Sequence, residues 1–262
     1  MGEQQTADNS LYDTLCETWW DENSLLNLLK TTVNPWRVPY FARLITENIQ
    51  HTSTPSLLDV GCGGGLLTEE FARLKCKVTG MDPSHPTINT ARQHAAESGL
   101  DITYIHGFGN GIPFQENSFD LVSCCDVLEH IDNWQDTIEE IARVLKPGGL
   151  FLFDTIDRTA YSWLVNIFIA QDFPLTRFMP RQMHVWPMFI KPHELTRCLS
   201  NNQLETRQIV GASPKGSPLQ ALSAIRKFKR GIISAEAVGE VASMRPSKNT
   251  RGSYMGYAQK QA

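Results

Sequence analysis

The sequence predicts an α/β fold with a doubly wound, mostly parallel Rossmann-like sheet, an N-terminal helical cap and one insertion. Two observations predict it. Between residues 55 and 156, short apolar runs typical of buried strands alternate with helical patterns, which indicates βαβ units and a parallel sheet covered on both faces. The first apolar run ends in "DVGCGGG" (59–65), which places an acid and a glycine cluster where a strand turns into a helix.

The composition narrows the class of protein. A chain of 262 residues with 41% hydrophobic and 20% charged residues is typical of a globular protein with a substantial core. A net charge of -4 argues against broad nucleic-acid binding, which needs a positive surface. We find no secretory signal pattern and no apolar run of about 18 residues. We therefore expect a cytoplasmic protein without a transmembrane helix.

The six cysteines form no Cys-x-x-Cys pair. The adjacent Cys124 and Cys125 are poor partners for a disulfide framework, and the spacing of the others matches no structural zinc site. We therefore expect reduced thiols.

The helical cap is predicted over residues 1–54. Residues 1–10 are polar and expected to fray. The leucines of 25–29 predict a helix that ends before "NPW" (34–36), and 38–45 predict a second helix. We interpret the tryptophans of this region as core packing.

The central unit, 55–156, contains five predicted strands and three predicted helices. The strands are "SLLDVGC" (56–62), "CKVTGMD" (76–82), "ITYIHG" (102–107), "FDLVSCCD" (119–126) and "LFLFDTI" (150–156). The helices are "LTEEFARL" (67–74), "INTARQHAAESG" (88–99) with Gly99 as its C-cap, and "WQDTIEEIARVLKPGG" (134–149).

The remainder of the chain completes a single domain. Residues 157–192 break the alternation with large apolar residues and arginines, and predict the insertion. Residues 193–262 are predicted to complete the sheet, through a helix near 192–204 and strands at 205–213 and 253–260. The basic run "IRKFKR" (225–230) is interpreted as a solvated helix face.

The glycine cluster predicts a ligand site at the carboxyl edge of the sheet. Gly61, Gly63 and Gly65 form G-x-G-x-G, close to the dinucleotide fingerprint without completing it. Asp59 precedes the turn, where its carboxylate could bind an amino group of the ligand indirectly, through a water molecule or the backbone. Asp82 ends the next strand, where an acid can accept two ribose hydroxyls. One alternative to a ligand site is that the glycines only turn the chain. If the site does bind a nucleotide, a nicotinamide-dependent dehydrogenase is the competing enzyme class, but no Tyr-x-x-x-Lys set follows.

The order of motifs resembles that of the class I S-adenosylmethionine-dependent methyltransferases. "LLDVGCGGG" (57–65), "GMDPS" (80–84), "NSFDLVSCCDVLEHI" (117–131) and "VLKPGG" (144–149) follow one another as in that family. The resemblance implies S-adenosylmethionine as cofactor, held by Asp59, Gly61, Gly63 and Asp82. The chain departs from the family after the third strand, where Phe108 and Asn110 stand near the usual position of an acid that holds the adenine amino group.

The flanks resemble the ubiquinone-biosynthesis O-methyltransferases. The matching stretches are "WWD" (19–21), "NPWRVPY" (34–40), "CCDVLEH" (124–130), "HVWPMFIKPHEL" (184–195) and "YMGYAQK" (254–260), whereas "TIDR" (155–158) departs from the family's Thr-(Ile/Leu)-Asn-Arg. The resemblance implies methyl transfer to a catechol-type hydroxyl of a polyprenylated quinone precursor. It also implies that Arg37 closes on the methionine carboxylate of the cofactor and that Cys125 lines the cofactor near its sulfonium.

The stretch "CCDVLEH" places Asp126, Glu129 and His130 at i, i+3 and i+4, on one face of a helix if a helix forms there. The three side chains predict a metal site, a proton-transfer site or a solvated helix start. In the resembled family the corresponding Glu-x-x-Glu-His residues are implicated in divalent-metal binding. Mg²⁺ would suit the carboxylates, whereas His130 would favour Zn²⁺ or Mn²⁺. Alternatively, His130 alone takes the proton from the phenol.

The acceptor is expected to be a small, aromatic and hydrophobic molecule. The apolar and basic residues of 160–190 favour either a helix lying in a lipid interface, with peripheral attachment at the inner face of a membrane, or a lid over a soluble pocket. Two further functions remain open: methylation of a soluble natural product, and a catalytically silent cofactor-binding scaffold.

Overall fold

The computed structural model describes residues 7–261. The strands are β1 (Ser56–Val60), β2 (Lys77–Asp82), β3 (Ile102–His106), β4 (Phe119–Cys125), β5 (Leu145–Ile156), β6 (Leu204–Pro214), β7 (Met244–Ser247) and β8 (Ser253–Lys260). The α-helices are α1 (Ser10–Thr14), α2 (Leu28–Thr32), α3 (Asn34–Asn48), α4 (Thr68–Arg73), α5 (His85–Glu97), α6 (Trp134–Val144), α7 (Ala160–Ser162), α8 (Pro192–Asn201), α9 (Pro218–Lys229) and α10 (Ala235–Ala242).

Three 3₁₀ turns and a π-helical stretch complete the described elements. The turns are Cys16–Thr18, Leu128–His130 and Trp186–Met188. The π-helical stretch, Trp163–Asp172, continues directly from α7. Much of the predicted insertion is therefore helical.

The eight strands form one sheet in the order β3-β2-β1-β4-β5-β8-β6-β7. The strands from β3 to β5 are parallel, and β8, β6 and β7 add antiparallel pairs. The strand order reverses between β1 and β4, which is where the carboxyl ends of a doubly wound sheet leave a crevice for a ligand. The predicted α/β fold class and its five central strands are confirmed.

Apolar side chains bury both faces of the sheet. On one face, α6 and α8 contribute Ile138, Ile141, Leu195 and Leu199. On the other face, α3 and α4 contribute Phe41, Leu44 and Phe71. A smaller cluster joins α2 to α9 and α10 through Leu28, Phe228 and Val238. These layers fix the central strands and therefore the positions of the residues at their carboxyl ends.

The helical cap differs from its prediction in where the second helix begins. The break before "NPW" exists, since α2 ends at Thr32, but α3 starts at Asn34 rather than at residue 38. Pro35 lies in the first turn of α3, where a backbone N–H is not needed. The early start places Arg37 within the helix, with its side chain directed at the sheet.

The cysteines are free thiols, as expected. Among residues 7–261, no helix has the length and apolar character needed to cross a bilayer. The predicted fraying of residues 1–10 lies mostly outside the described residues.

Candidate active site

The glycine loop follows β1 and adopts a backbone that favours glycine. Gly61, Gly63 and Gly65 have φ values of +72°, +52° and +89°, in the region that other L-residues rarely adopt. A Cβ on Gly61 would lie 2.3 Å from Cγ2 of Val127. The loop therefore brings bare backbone to the edge of the sheet, as the sequence predicted.

Asp59 anchors the base of this loop. Its two carboxylate oxygens accept hydrogen bonds of 2.6 Å from the hydroxyls of Thr68 and Ser123. Asp59 is buried, and burial raises the pKa of its carboxyl group. Because both oxygens already have hydroxyl partners, the position of the acid is fixed from two sides.

Asp82 ends β2 and ties that strand to the glycine loop. One carboxylate oxygen accepts the Gly63 N–H at 2.9 Å, and the other accepts the Ser84 N–H at 2.9 Å. Burial raises the pKa of this carboxyl group as well. Each oxygen retains a lone pair for a further donor.

Two tryptophans of the cap cover the loop. The Trp20 Nε1–H donates to the Gly64 carbonyl at 2.8 Å. The buried Trp19 ring lies against the same loop, since a Cβ on Gly64 would be 2.3 Å from its Cγ. Trp19 also packs with Leu26 and Met183. The interpretation of these residues as core packing missed this second role, because the contact joins two segments that are distant in sequence.

Arg37 is buried between carboxylates. Its Nη1 donates to Asp126 at 2.7 Å and to Asp154 at 2.8 Å, and its Nη2 donates to Oδ1 of Asn34 at 2.9 Å. Burial, together with the neighbouring Asp126 carboxylate, raises the pKa of Asp154. Arg37 lines the central cavity. The family resemblance implies that Arg37 closes on the methionine carboxylate of the cofactor, and the sequence did not predict its two carboxylate partners.

Cys125 ends β4 and lines the same cavity. Burial raises the pKa of its thiol well above the ordinary value. The side chain is therefore a neutral thiol at physiological pH, which suits a wall position and not a nucleophile.

The prediction that Asp126, Glu129 and His130 share one face of a helix is wrong. Asp126 has a φ of +56°, which ends any helical path at that residue. Only Leu128–His130 forms a 3₁₀ turn, and α6 begins later at Trp134. The Asp126 carboxylate turns to Arg37, whereas Oε2 of Glu129 accepts a 2.7 Å hydrogen bond from the Thr155 hydroxyl.

A second histidine takes the place beside His130 that Asp126 was predicted to fill. His184, from the insertion, lies with its ring centroid 5.0 Å from that of His130. Ligand atoms of Glu129, His130 and His184 all lie within 4.8 Å of one another. His184 was not predicted as a site residue, although it begins the stretch "HVWPMFIKPHEL" used for the resemblance.

Burial sets the protonation of this cluster. It lowers the pKa of His130 to about 4, against an opposing effect of Asp126, and it lowers the pKa of His184 well below its ordinary value. Burial also raises the pKa of Glu129 to about 8, assisted by Asp126. At neutral pH both imidazoles are therefore neutral, and the Glu129 carboxyl holds its proton.

One cavity of about 820 Å³ joins these parts, a size typical of small-molecule sites. Its lining includes Gly61, Asp82, Arg37 and Cys125 together with His130 and His184. Phe108 and Asn110, which follow β3, also line the cavity. Apolar side chains of α2, α9, β7 and the segment before α2 also line it, and we call them its apolar region: Leu25, Leu29, Leu222, Ile225 and Met244.

Comparison with known proteins assigns the chain to a family. Residues 58–153 match the family described as methyltransferase domain. The PH0226 protein from Pyrococcus horikoshii has a similar fold, with a TM-score of 0.60 at 17% identity over 96% of this chain and 99% of that chain. A SAM-dependent methyltransferase from Aquifex aeolicus gives a TM-score of 0.57 at 14% identity, covering 94% and 97% of the two chains. These likenesses show the fold.

Curated relatives are closer in sequence. The ubiquinone biosynthesis O-methyltransferase of Cronobacter sakazakii is 33% identical over 201 residues, covering 76% of this chain and 80% of that protein. The protein of the same name from Thiobacillus denitrificans is 32% identical over 80% of this chain and 88% of its own length. The chain therefore belongs to the ubiquinone biosynthesis O-methyltransferase family and is an S-adenosylmethionine-dependent O-methyltransferase.

Proposed function

We propose that this enzyme transfers a methyl group from S-adenosylmethionine to a catechol-type hydroxyl of a quinone precursor that carries an apolar tail. The observation that carries the proposal is the neutral His130 imidazole, which lines the same cavity as Gly61 and Asp82. A cofactor on the glycine loop and an acceptor beside His130 would thus share one enclosed space. The names of the curated relatives support a quinone precursor as the acceptor.

The cofactor is proposed to lie along the carboxyl edge of β1, β2 and β4. Asp82 accepts the ribose hydroxyls, while Gly61 and Gly63 let the cofactor approach the backbone. Asp59 supports the cofactor site indirectly. Its carboxylate accepts hydrogen bonds from the Ser123 and Thr68 hydroxyls, and these fix the start of the glycine loop.

The methionine end of the cofactor is proposed to lie against Arg37 and Cys125. The guanidinium binds the methionine carboxylate after Asp126 has moved away from it, because Arg37 bridges planar oxyanions well. The neutral Cys125 thiol forms the wall beside the sulfonium.

His130 is proposed to act on the acceptor hydroxyl. A phenol has a pKa of about 10 in water, and His130 has a pKa of about 4. Direct proton transfer across this difference costs about 8 kcal/mol. His130 is therefore competent as a base only where another group stabilises the phenolate. A divalent cation bound to His130 would be a separate route: with one ring nitrogen on the cation and the other protonated, His130 would be a ligand and the cation would lower the pKa of the acceptor hydroxyl.

Residues beside His130 fit a divalent cation. The Nδ1 of His130 is buried and has no hydrogen-bond partner among the described residues, and the Glu129 carboxyl group lies within reach. A nitrogen and an oxygen donor suit Zn²⁺ or Mn²⁺ better than Mg²⁺. When bound, such a cation would supply Lewis acidity that lowers the pKa of the acceptor hydroxyl. Glu129 would then bind as the carboxylate, since a positive charge favours loss of its proton.

The apolar region of the cavity supports a tail on the acceptor. Leu25, Leu29, Leu222, Ile225 and Met244 present no charged group to a ligand. Burying an apolar tail against these side chains gains about 25 cal/mol per Å² of surface removed from water. A tailless catechol would lose this contribution and should show a higher KM.

The insertion is proposed to attach the enzyme to a lipid surface. Trp163, Phe168, Phe173 and Leu175 are large apolar residues that remain solvent-exposed. The rings of Trp163, Phe168 and Phe173 stack in a row, with centroid separations of 5.9 and 5.3 Å. An exposed aromatic row edged by arginines suits a membrane interface. A lid that folds over the cavity is the alternative.

The experiment that tests the function is methyl transfer to catechols with and without an isoprenoid tail. His130→Ala should lower kcat by about 10²–10⁴-fold while the Kd for S-adenosylmethionine stays within about twofold. The matched control is His193→Ala, which removes an exposed histidine of α8 and should leave kcat unchanged. Equal turnover by the His130 variant, or cofactor binding without turnover on any catechol, would contradict the proposal.

A further inference from the structure

The insertion fixes His184 by an unusual pair of hydrogen bonds. The side-chain amide of Gln171 donates from Nε2 to the His184 carbonyl at 3.0 Å, and its Oε1 accepts the His184 N–H at 2.7 Å. Gln171 is 1% exposed and lies at the end of the π-helical stretch Trp163–Asp172. The amide therefore satisfies both backbone polar groups of His184 in a buried setting, where leaving them unpaired is unfavourable.

The imidazole that this arrangement holds is itself unsatisfied. The Nδ1 atoms of both His184 and His130 are buried without a hydrogen-bond partner among residues 7–261. Buried ring nitrogens are ordinarily paired, so both Nδ1 atoms are open to a ligand, and a ring nitrogen of each histidine lies within 4.8 Å of the other and of a Glu129 carboxyl oxygen. A neutral imidazole offers one ring-nitrogen lone pair to a cation.

Asp126 is poorly placed to be that cation's third ligand. Its carboxylate lies 2.7 Å from Nη1 of Arg37, and the ligand atoms that converge belong to Glu129, His130 and His184. Zn–N and Zn–O bonds of about 2.0–2.2 Å in tetrahedral geometry place neighbouring ligand atoms about 3.3–3.6 Å apart. The three ligand atoms lie within 4.8 Å of one another, so side-chain rotations would bring them onto a shared cation.

We propose that His184 is the third protein ligand of the divalent cation, with Glu129 and His130, and that Gln171 positions it. This inference rests on the proposed function only for the presence of a cation at Glu129 and His130. Two imidazoles and one carboxylate favour Zn²⁺ or Mn²⁺. Because His184 and Gln171 both belong to the insertion, cation binding and the docking of the insertion stabilise each other, as linkage requires.

The test measures Mn²⁺ binding to the full-length enzyme by EPR, without acceptor. His184→Ala and Glu129→Gln should each weaken Mn²⁺ binding by more than tenfold, whereas Asp126→Asn and the control His193→Ala should change the Kd by less than about threefold. Gln171→Leu, which keeps the volume but removes both hydrogen bonds, should weaken it by about 10–100-fold, as loss of an outer-shell partner does. Far-UV circular dichroism verifies that each variant is folded.

Two results would overturn the inference. The first is an Asp126→Asn variant that loses Mn²⁺ affinity while His184→Ala retains it. The second is a wild-type enzyme that binds neither Mn²⁺ nor Zn²⁺ at this site, which would leave His130 acting alone and the proposed function standing. Conversely, Mn²⁺ binding that depends on His184 in an enzyme that methylates no catechol would support the cation site and contradict the proposed function.

Discussion

Arg37 and Asp126 form a 2.7 Å ion pair at the wall of the cavity, and the two partners differ sharply in exposure. The Arg37 side chain is 3% exposed and that of Asp126 is 40% exposed. Asp154, the other carboxylate on Arg37, is 7% exposed. Releasing a half-exposed carboxylate to water costs little, whereas separating a buried pair is expensive. Asp154 is therefore the fixed partner of Arg37, and Asp126 is the partner that an incoming carboxylate can replace.

This difference predicts that Asp126→Asn tightens cofactor binding. The variant removes the carboxylate that competes with the methionine carboxylate for Arg37, and about 1 kcal/mol of competition corresponds to about fivefold in Kd. Isothermal titration with S-adenosylmethionine measures the change. Asp154→Asn is the contrasting variant, since it disrupts the buried pair and should lower the free energy of unfolding by about 3–5 kcal/mol. An unchanged or weaker Kd for Asp126→Asn would show that Arg37 does not receive the methionine carboxylate.

The contact between Trp19 and the glycine loop predicts that Gly64→Ala impairs cofactor binding. A Cβ at residue 64 would lie 2.3 Å from Cγ of Trp19, so the ring must move away from the loop. We expect the Kd for S-adenosylmethionine to rise by more than tenfold, measured by titration of tryptophan fluorescence. Gly111→Ala is the matched control, because a Cβ there meets nothing within 4 Å. If both variants bind alike, the cap does not shape the cofactor site.

The sequence predicted those elements whose signal is local. The central strands are apolar runs with clear punctuation, and Gly61, Gly63 and Asp82 follow them directly. Strand β7, "MRPS", was not predicted, because it has no alternation and contains a proline. It forms by pairing with β6, a contact that sequence periodicity does not encode.

The parts of the site that were missed depend on contacts between distant residues. Arg37 and Asp154 are 117 positions apart, and His184 reaches His130 only because the insertion folds back over the sheet. The predicted helical face of Asp126, Glu129 and His130 had the right spacing, but Asp126 adopts a φ of +56°. A favourable pairing with the buried Arg37 accompanies this backbone conformation, and spacing alone carries no information about that partner.

Asp120 at the start of β4 predicts a pH-dependent contribution to stability. Its buried carboxylate accepts from Nζ of Lys146 at 2.9 Å, and from the Ser56 hydroxyl and N–H at 2.6 and 2.9 Å. Burial alone would raise the pKa of Asp120, but these hydrogen bonds outweigh burial and hold the pKa well below its ordinary value. A depressed pKa stabilises the folded state above the unfolded pKa of about 3.9, and this contribution is lost as the pH falls further.

Asp120→Asn should therefore lower the free energy of unfolding by about 2–3 kcal/mol at pH 7. The deficit relative to wild type should stay constant down to about pH 5 and shrink below about pH 4. Urea unfolding across this range measures it, with the exposed Asp101→Asn as a control that should change stability by less than about 0.5 kcal/mol. A deficit that grows as the pH falls would have the wrong sign for this explanation.

The exposed apolar residues of the insertion predict binding to anionic vesicles. Leu175 is 70% exposed and Phe168 is 39% exposed, and burying either side chain in lipid gains about 1.5–3 kcal/mol. Arg177 and Arg181 add attraction of about 1 kcal/mol each near an anionic surface. Co-sedimentation at low salt should therefore be stronger with anionic than with neutral vesicles, and Phe168→Asp or Leu175→Asp should weaken it by more than tenfold.

Ile232→Asp is the matched control, because Ile232 is 62% exposed but lies between α9 and α10. Wild-type enzyme that stays in the supernatant, or an Ile232 variant that loses as much binding as the insertion variants, would favour a lid over membrane attachment.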